Sequence, residues 1–456
     1  MRIAREHGPS PMQDAADPLD VLSGQDSTQA GNYFVSNYPP FSVWRNGEAG
    51  SAVERLGRRG NRDTPLGLYV HLPFCRKRCD FCYFRVYTDK NHEEIQAYLD
   101  AVLREAAILG RQPFLDGRAL EFIYFGGGTP SYLSRKQLTR LMDGLRAALP
   151  WTSPSEVAFE CEPGTLTKSK IAAIRGFGIN RLSLGVENFD DEILAANNRA
   201  HRSKEIYRVW DWLRGSGFEQ VNLDLIAGMV GETDEKWAHT VSETVRLAPD
   251  AVTVYQMEIP YNTTIYRGMR ESGAISAPVA DWPTKRRWTR EAFEALEASG
   301  YRVGSAYTAV RDSSTIRFVY RDRLWDGADM LALGVSAFGY LDGVHYQNQP
   351  HMQPYMERVN KGALPVSRAL PISAQEAMIR QFVLKMKLGR LETRPFQDRF
   401  GVDVTQRWGQ ELSLFRDHGL LAFDRDRIEL TRDGLLQVDR LLHAFFLPEH
   451  TNIRYA

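Results

Sequence analysis

From Leu66 onward the chain alternates between short apolar runs and longer stretches that carry their apolar residues on one helical face. The short runs are LGLYVHLPF, LEFIYFG, EVAFEC, RLSLGV, QVNLDLI and AVTVYQMEI, rich in β-branched and aromatic residues. Such runs read as strands. The stretches between them, among them NHEEIQAYLDAVLREAAIL, RKQLTRLMDGLRAAL and DEKWAHTVSETVRLA, have the spacing of amphipathic helices. Hairpin signals are mostly missing between them, so six β–α units predict an α/β fold with a parallel sheet and helical crossovers. The pattern fits an open doubly wound sheet or an incomplete barrel equally well. In either, chemistry belongs at the C-terminal ends of the strands and in the loops that follow.

The two ends of the chain read differently. Residues 1 to about 30 are polar and rich in Gly, Pro, Ser and Asp, which predicts a mobile segment. Gly31 to Trp44, GNYFVSNYPPFSVW, sets five aromatics around a proline pair and is expected to pack on the main body. RLGRRGNRD then reads as a linker. Near the other end, Ser373 to Glu376 has capping-box form and opens a helix. FRDHGLLAFDRDRIELTRDG reads as helix end, strand, tight turn and strand, followed by LLQVDRLLHAFF, so a winged-helix-like module is predicted.

Charge narrows the classes. Lys plus Arg equals Asp plus Glu at 57 each, and the stretch TRPFQDRFGVDVTQRWGQEL is mixed rather than basic, which argues against a nucleic-acid partner. No apolar run approaches the roughly 20 residues of a membrane span, and the N-terminus lacks a signal-peptide core, so a cytoplasmic protein without a membrane partner is expected. Cysteines there stay reduced and serve metals or chemistry rather than disulfides.

Three of the four cysteines lie in HLPFCRKRCDFCYFRV, directly after the first strand: Cys75, Cys79 and Cys82, spaced C-x3-C-x2-C. Cys161 stands apart at the end of the third. Structural zinc wants a fourth ligand, for which His71 is the nearby candidate. Three thiolates suit a cubane iron–sulfur cluster with one iron left open to an external ligand.

This loop in this place resembles the radical S-adenosylmethionine (SAM) superfamily. YVHLPFCRKRCDFC, YFGGGTPS, FECEPGTL, GINRLSLGVENFDDEILAANNRAH, VNLDLIAGM and LALGVSAFGY…HYQNQ resemble the branch that contains oxygen-independent coproporphyrinogen III oxidase, in order and from about Gly31 to the C-terminus. The resemblance implies an N-terminal extension over 1–60, partly mobile, and an incomplete (β/α)6 barrel over 61–310. A barrel extension and connection over 311–370 and a winged-helix-like, mostly helical domain over 371–456 would follow. It implies a [4Fe-4S] cluster on Cys75, Cys79 and Cys82, with SAM chelating the open iron and cleaved by one electron to a 5′-deoxyadenosyl radical. Phe81 would pack on the adenine; Gly126, Gly127, Gly128 and Thr129 would approach the amino acid end. Glu160, Arg199 and Asp224 match polar SAM contacts, while Glu187 stands where the oxidase has Gln. A second SAM would rest on Tyr69, which joins the cysteines as a catalytic candidate, and on main chain at Ala337 and Phe338. Tyr320 falls where the oxidase has a Gln contact, and Phe84 where it has a further Cys.

Those departures favour, at this level, a carbon-transfer enzyme: a second SAM donating a methylene radical to methylate or cyclopropanate an unsaturated small molecule in specialised metabolism, with a partner methyltransferase in some relatives. The alternatives are coproporphyrinogen decarboxylation, which the aromatic N-terminal lead supports, and a heme chaperone. Each takes a small-molecule substrate or cargo, and the enzymes need a reductant such as flavodoxin or ferredoxin. His201, Tyr255, Gln256 and Trp325 are candidate substrate neighbours.

Overall fold

A computed structural model of the chain describes residues 26–31, 33–451 and 453. The six predicted runs are its central strands: β1 (Leu66–Leu72), β2 (Leu120–Gly127), β3 (Glu156–Cys161), β4 (Arg181–Glu187), β5 (Gln220–Ala227) and β6 (Ala251–Gln256). Each pairs in parallel with the next, with a helix-bearing crossover between. Near-continuous burial along β1 and β3 is what a sheet covered on both faces requires.

Strand order separates the two architectures. A doubly wound sheet reverses direction at a switch point, whereas β1 to β6 lie side by side in chain order. With right-handed crossovers, that order puts the helices on one face and curls the sheet toward a barrel. Antiparallel β8 (Thr308–Val310) and β7 (Arg302–Val303) extend the β6 side. On the β1 side, β9 (Asp329–Leu333) pairs in parallel. A meander of β10 (Phe338–Leu341), β11 (Val344–Asn348) and β12 (Val366–Pro371) continues it. The twelve-stranded sheet keeps two ends, an α/β partial barrel.

A second core forms around Phe382, Trp408, Phe415 and Phe445 in the C-terminal region. Its three-stranded sheet has the order β13 (Arg390–Glu392), β15 (Arg427–Leu430), β14 (Leu421–Phe423). The capping box forms as read, Ser373 Oγ accepting from Glu376 N at 3.2 Å. LLQVDRLLHAFF does not run as one helix; it breaks into the short turns Arg432–Leu435, Val438–Leu441 and Leu442–Phe445. Among the described residues no helix is long and apolar enough to cross a membrane.

The aromatic lead joins the C-terminal core, with Val35 and Tyr38 fully buried there. Tyr33 N and Phe34 N donate to Glu258 Oε2 at 2.6 and 2.9 Å. Asp439 accepts from Val35 N at 2.8 Å, and the Val35 carbonyl takes a hydrogen bond from buried Lys387 at 2.6 Å. Of the stretch expected to be mobile, residues 1–25 lie outside the described residues. Asp26 to Ala30 are docked instead: Thr28 Oγ1 donates to the Ala280 carbonyl at 2.8 Å and accepts from Lys285 Nζ at 2.7 Å. The helix Ala49–Leu56, unforeseen beside an expected linker, buries Ala52 and Leu56.

Candidate active site

The cysteine loop is closed at its base. After β1 the Tyr87 amide donates to the Pro73 carbonyl at 2.8 Å, and the Cys75 amide to the Tyr87 carbonyl at 3.1 Å. Within it, Arg78 Nη2 donates to the Cys82 carbonyl at 3.1 Å and the Asn262 carbonyl at 2.9 Å. Cys75, Cys79 and Cys82, all half-buried, line one cavity of about 1230 Å³. Burial pushes the Cys75 thiol up to about 12 and the Cys82 thiol to about 11, so a strong Lewis acid must displace their protons. Thr129 Oγ1 donates to Cys75 Sγ and Arg199 Nη1 to Cys79 Sγ, both at 3.3 Å.

The glycines after β2 are required by space. Gly128 N donates to the Leu72 carbonyl at 2.9 Å and Thr129 N to the Phe74 carbonyl at 2.8 Å, locking this turn to the cysteine loop. Gly127 has φ +108°, and a Cβ there would stand 2.4 Å from the His71 ring. At Gly128 it would meet the Leu72 carbonyl at 2.8 Å. Only bare backbone fits.

Carboxylates ring the same end. Glu160, at the end of β3, accepts from Tyr124 OH at 2.7 Å and from Gly127 N at 3.2 Å; burial raises it to about 7. Glu187 ends β4 with φ +65° and sits 3.4 Å from Arg199; burial, opposed by that guanidinium, leaves it at about 7. Asp224 accepts from Ser183 Oγ at 2.7 Å and Asn222 Nδ2 at 2.9 Å, and is raised by burial. Arg199 also donates to the Gly185 carbonyl at 2.7 Å, while its Nε and that of Arg78 are buried without partners.

This set fits a thiolate-bound, anionic iron–sulfur cluster. Arg199 and Thr129 already point donors at the sulfurs, and the partnerless N–H groups await acceptors. The carboxylates suit the ammonium and sulfonium of SAM, and the side-chain-free glycine turn admits its amino acid end. Among the described residues no three His, Cys, Asp or Glu side chains converge on a single-ion site. His71 does not join the thiols: it lies buried behind Gly127, its Nδ1 3.0 Å from Tyr69 OH, and burial lowers it to about 4.

The structure brings together on this cavity wall Cys75, Cys79, Cys82, Phe81, Gly127, Gly128, Thr129, Glu160, Glu187, Arg199 and Asp224, with Tyr255 and Gln256 farther along. Others lie elsewhere. Gly126 is packed against Tyr124 and Glu160 without lining the cavity. Tyr69 stacks behind Tyr124 at 6.1 Å. Ala337 is fully buried, and Phe338 is covered by Phe41 and Trp44 of the aromatic lead at 4.4 and 5.5 Å. His201 is a buried partner of Glu162 at 3.1 Å; burial opposes ionisation of that carboxyl, but His201 and Arg76 hold it at about 2. Trp325 packs on the C-terminal core. Sequence reasoning missed Arg286, Arg440 and Trp282, which line the same cavity and carry no motif.

A radical SAM superfamily profile matches residues 69–243, and a HemN C-terminal domain profile matches residues 372–436. The fold, the cysteine loop and the first profile define a radical SAM protein, the class that carries a [4Fe-4S] cluster and SAM. Within that class, the chain is similar to the oxygen-independent coproporphyrinogen III oxidase-like branch. It is 27% identical to the oxygen-independent coproporphyrinogen III oxidase of Escherichia coli strain K12 over 84% of this chain and 86% of that protein. The solved structure described as coproporphyrinogen III oxidase (HemN) from Escherichia coli, a radical SAM enzyme, superposes with a TM-score of 0.78 at 25% identity, over 95% of this chain and 99% of that one. The heme chaperone HemW of Bacillus subtilis is 25% identical over 83% of this chain and 98% of its own.

These relatives overturn the carbon-transfer expectation, and with it the methylation, cyclopropanation and partner methyltransferase: they are named oxidase and heme chaperone. The departures behind that expectation carry less than their spacing suggested. Tyr320 does not line the cavity; it stacks on Tyr124 at 4.5 Å and its amide donates to Glu156. Phe84 sits on the rim, 41% exposed.

Proposed function

We propose that this chain is an oxidoreductase that decarboxylates propionate side chains of coproporphyrinogen III or a closely similar tetrapyrrole. One observation carries the reading: the likeness to the Escherichia coli oxidase spans the lead, the barrel and the C-terminal region together, 95% of this chain and 99% of that one. A [4Fe-4S] cluster held by Cys75, Cys79 and Cys82 would supply the one-electron reduction that splits SAM into methionine and a 5′-deoxyadenosyl radical, the species that would take a hydrogen atom from the substrate. Carbon dioxide then leaves, and the remaining electron passes to an acceptor.

The protein's part is to hold and to shield. Cys75, Cys79 and Cys82 would grip the cluster, Arg199 and Thr129, which already donate to Cys79 Sγ and Cys75 Sγ, would stabilise its sulfur charge, and Glu160, Glu187 and Asp224 would face the cationic groups of SAM. Roughly 300–1,000 Å³ serves one drug-sized ligand, so a cavity of about 1230 Å³ has room for SAM and a large macrocycle. Tyr33, Phe34, Tyr255, Trp282 and Tyr307 offer it aromatic faces. A reductant such as flavodoxin or ferredoxin supplies the electron. The reading uses one SAM; equilibrium dialysis giving two per chain would add a second.

The test is anaerobic incubation of reconstituted protein with SAM, a reductant and coproporphyrinogen III. Carbon dioxide, a vinyl product and 5′-deoxyadenosine should appear together. Tight heme binding with no decarboxylation would instead assign a carrier role.

A further inference from the structure

On the wall of the same cavity, Arg286 on the helix Trp282–Ala298 and Arg440 on the turn Val438–Leu441 come together from distant parts of the chain, near enough for the Arg440 charge to act on Arg286. Arg286 Nε and Arg440 Nη2 are buried with no hydrogen-bond partner, and neither guanidinium has a carboxylate within ion-pair distance among the described residues. A buried donor left unmade is costly, and two like charges side by side add to the cost. Burial and the Arg440 charge together pull Arg286 down to about 10.

The nearby acids are committed elsewhere. Asp439 takes Val35 N and Lys387 Nζ, both at 2.8 Å. Glu258 takes the Tyr33 and Phe34 amides at 2.6 and 2.9 Å. Asp26 lends its charge to both arginines but pairs with neither. Trp282, its ring 6.0 Å from the Arg286 guanidinium, gives the spot an aromatic wall.

We infer that Arg286 and Arg440 form a carboxylate-binding subsite that anchors one acidic side chain of the substrate and thereby fixes which other side chain faces the cysteine loop. This rests on the tetrapyrrole reading above and gives it an orientation. Paired guanidiniums bind a carboxylate through charge-assisted, directional hydrogen bonds, which a flexible macrocycle with several carboxylates needs if one is to be singled out.

The test measures equilibrium binding of coproporphyrin III and of its tetramethyl ester to the full chain by fluorescence quenching. Arg286→Gln and Arg440→Gln should each weaken the acid about tenfold to a hundredfold and leave the ester alone, and Arg→Lys should recover part. Acid binding as in the parent, or equal losses for acid and ester, overturns the subsite. Thermal stabilisation by glutarate separates the two readings. If the parent binds no porphyrin but glutarate protects it and not the Gln variants, the subsite stands and the tetrapyrrole falls. If porphyrin binds parent and variants alike, the tetrapyrrole stands and the subsite falls.

Discussion

Substituting Gly127 by alanine tests whether the turn beside the cysteine loop is set by space, as argued. The backbone there has φ +108°, outside the region L-residues favour, at about 1–3 kcal/mol. The new methyl would stand 2.4 Å from His71 Cε1 and 2.5 Å from Nδ1, so the ring must retreat by about 1 Å to reach ordinary contact. His71 is only 4% exposed and hydrogen-bonded to Tyr69, and forced repacking of this kind costs about 1–3 kcal/mol. The sum, about 2–6 kcal/mol, is a large share of the roughly 5–15 kcal/mol that holds a domain folded. Urea unfolding of the metal-free protein reads the stability, and equilibrium dialysis of the reconstituted protein reads SAM affinity; both should fall. Two companions give the cause. Gly176→Ala, which meets nothing within 4 Å, should stay within about 0.5 kcal/mol of the parent. His71→Ala added to Gly127→Ala should recover the repacking share and leave the backbone share. A Gly127→Ala protein as stable as Gly176→Ala, with SAM affinity intact, refutes the steric account.

Iron retained after reconstitution should drop sharply on replacing any one of Cys75, Cys79 or Cys82 by alanine and persist in Cys161→Ala, measured as iron per chain with 5′-deoxyadenosine as second readout. Lys285, fully buried, is brought down by burial to about 7 from its ordinary 10.5. The unfolded chain therefore binds the extra proton between those values, so stability should rise with pH across that window and be lost as pH falls through about 7; Lys285→Met should flatten the urea-midpoint profile. Arg118 and Asp329 form a pair at 2.8 Å, both side chains 1% exposed, between the start of β2 and β9. Arg118→Met should cost about 3–5 kcal/mol by stranding the carboxylate, and adding Asp329→Asn should restore much of it; additive losses in urea midpoints would show that the two do not act as a pair.

How much was legible follows from how local each feature is. The six core strands were readable because strands buried on both faces must be apolar throughout, and LEFIYFG or RLSLGV can be little else. The cysteine loop and the glycine turn were readable because each sits within a few residues of its own strand end. Barrel against doubly wound sheet was not, since the difference lies in which strands are neighbours and leaves no mark on periodicity. The helix Ala49–Leu56 hid in a polar stretch because only Ala52 and Leu56 need to be apolar on its buried face. Tyr69 and Phe338 came from the resemblance rather than from the pattern, and no pattern shows that Tyr124 stacks on the one ring and the aromatic lead covers the other.

The proposed Arg286–Arg440 subsite is the clearest case of a feature made by long-range assembly. Arg286 and Arg440 lie more than a hundred positions apart, each an ordinary cation in an ordinary helical stretch. They meet at one cavity only in the folded chain, where Asp439 is taken by Val35 N and Lys387 Nζ and Glu258 by the Tyr33 and Phe34 amides of the aromatic lead. The same lead therefore does two things. It bridges the barrel to the C-terminal core, and it occupies Asp439 and Glu258 beside a cavity lined by two unpaired guanidiniums and three thiols. Val35→Pro, which deletes the amide given to Asp439, probes that coupling: Asp439 should turn toward Arg440, and coproporphyrin III binding should weaken even though no group that touches the ligand has changed. Binding equal to the parent, in a variant whose lead is shown by protease resistance to stay docked, would mean that the arginines are kept free by something other than the lead.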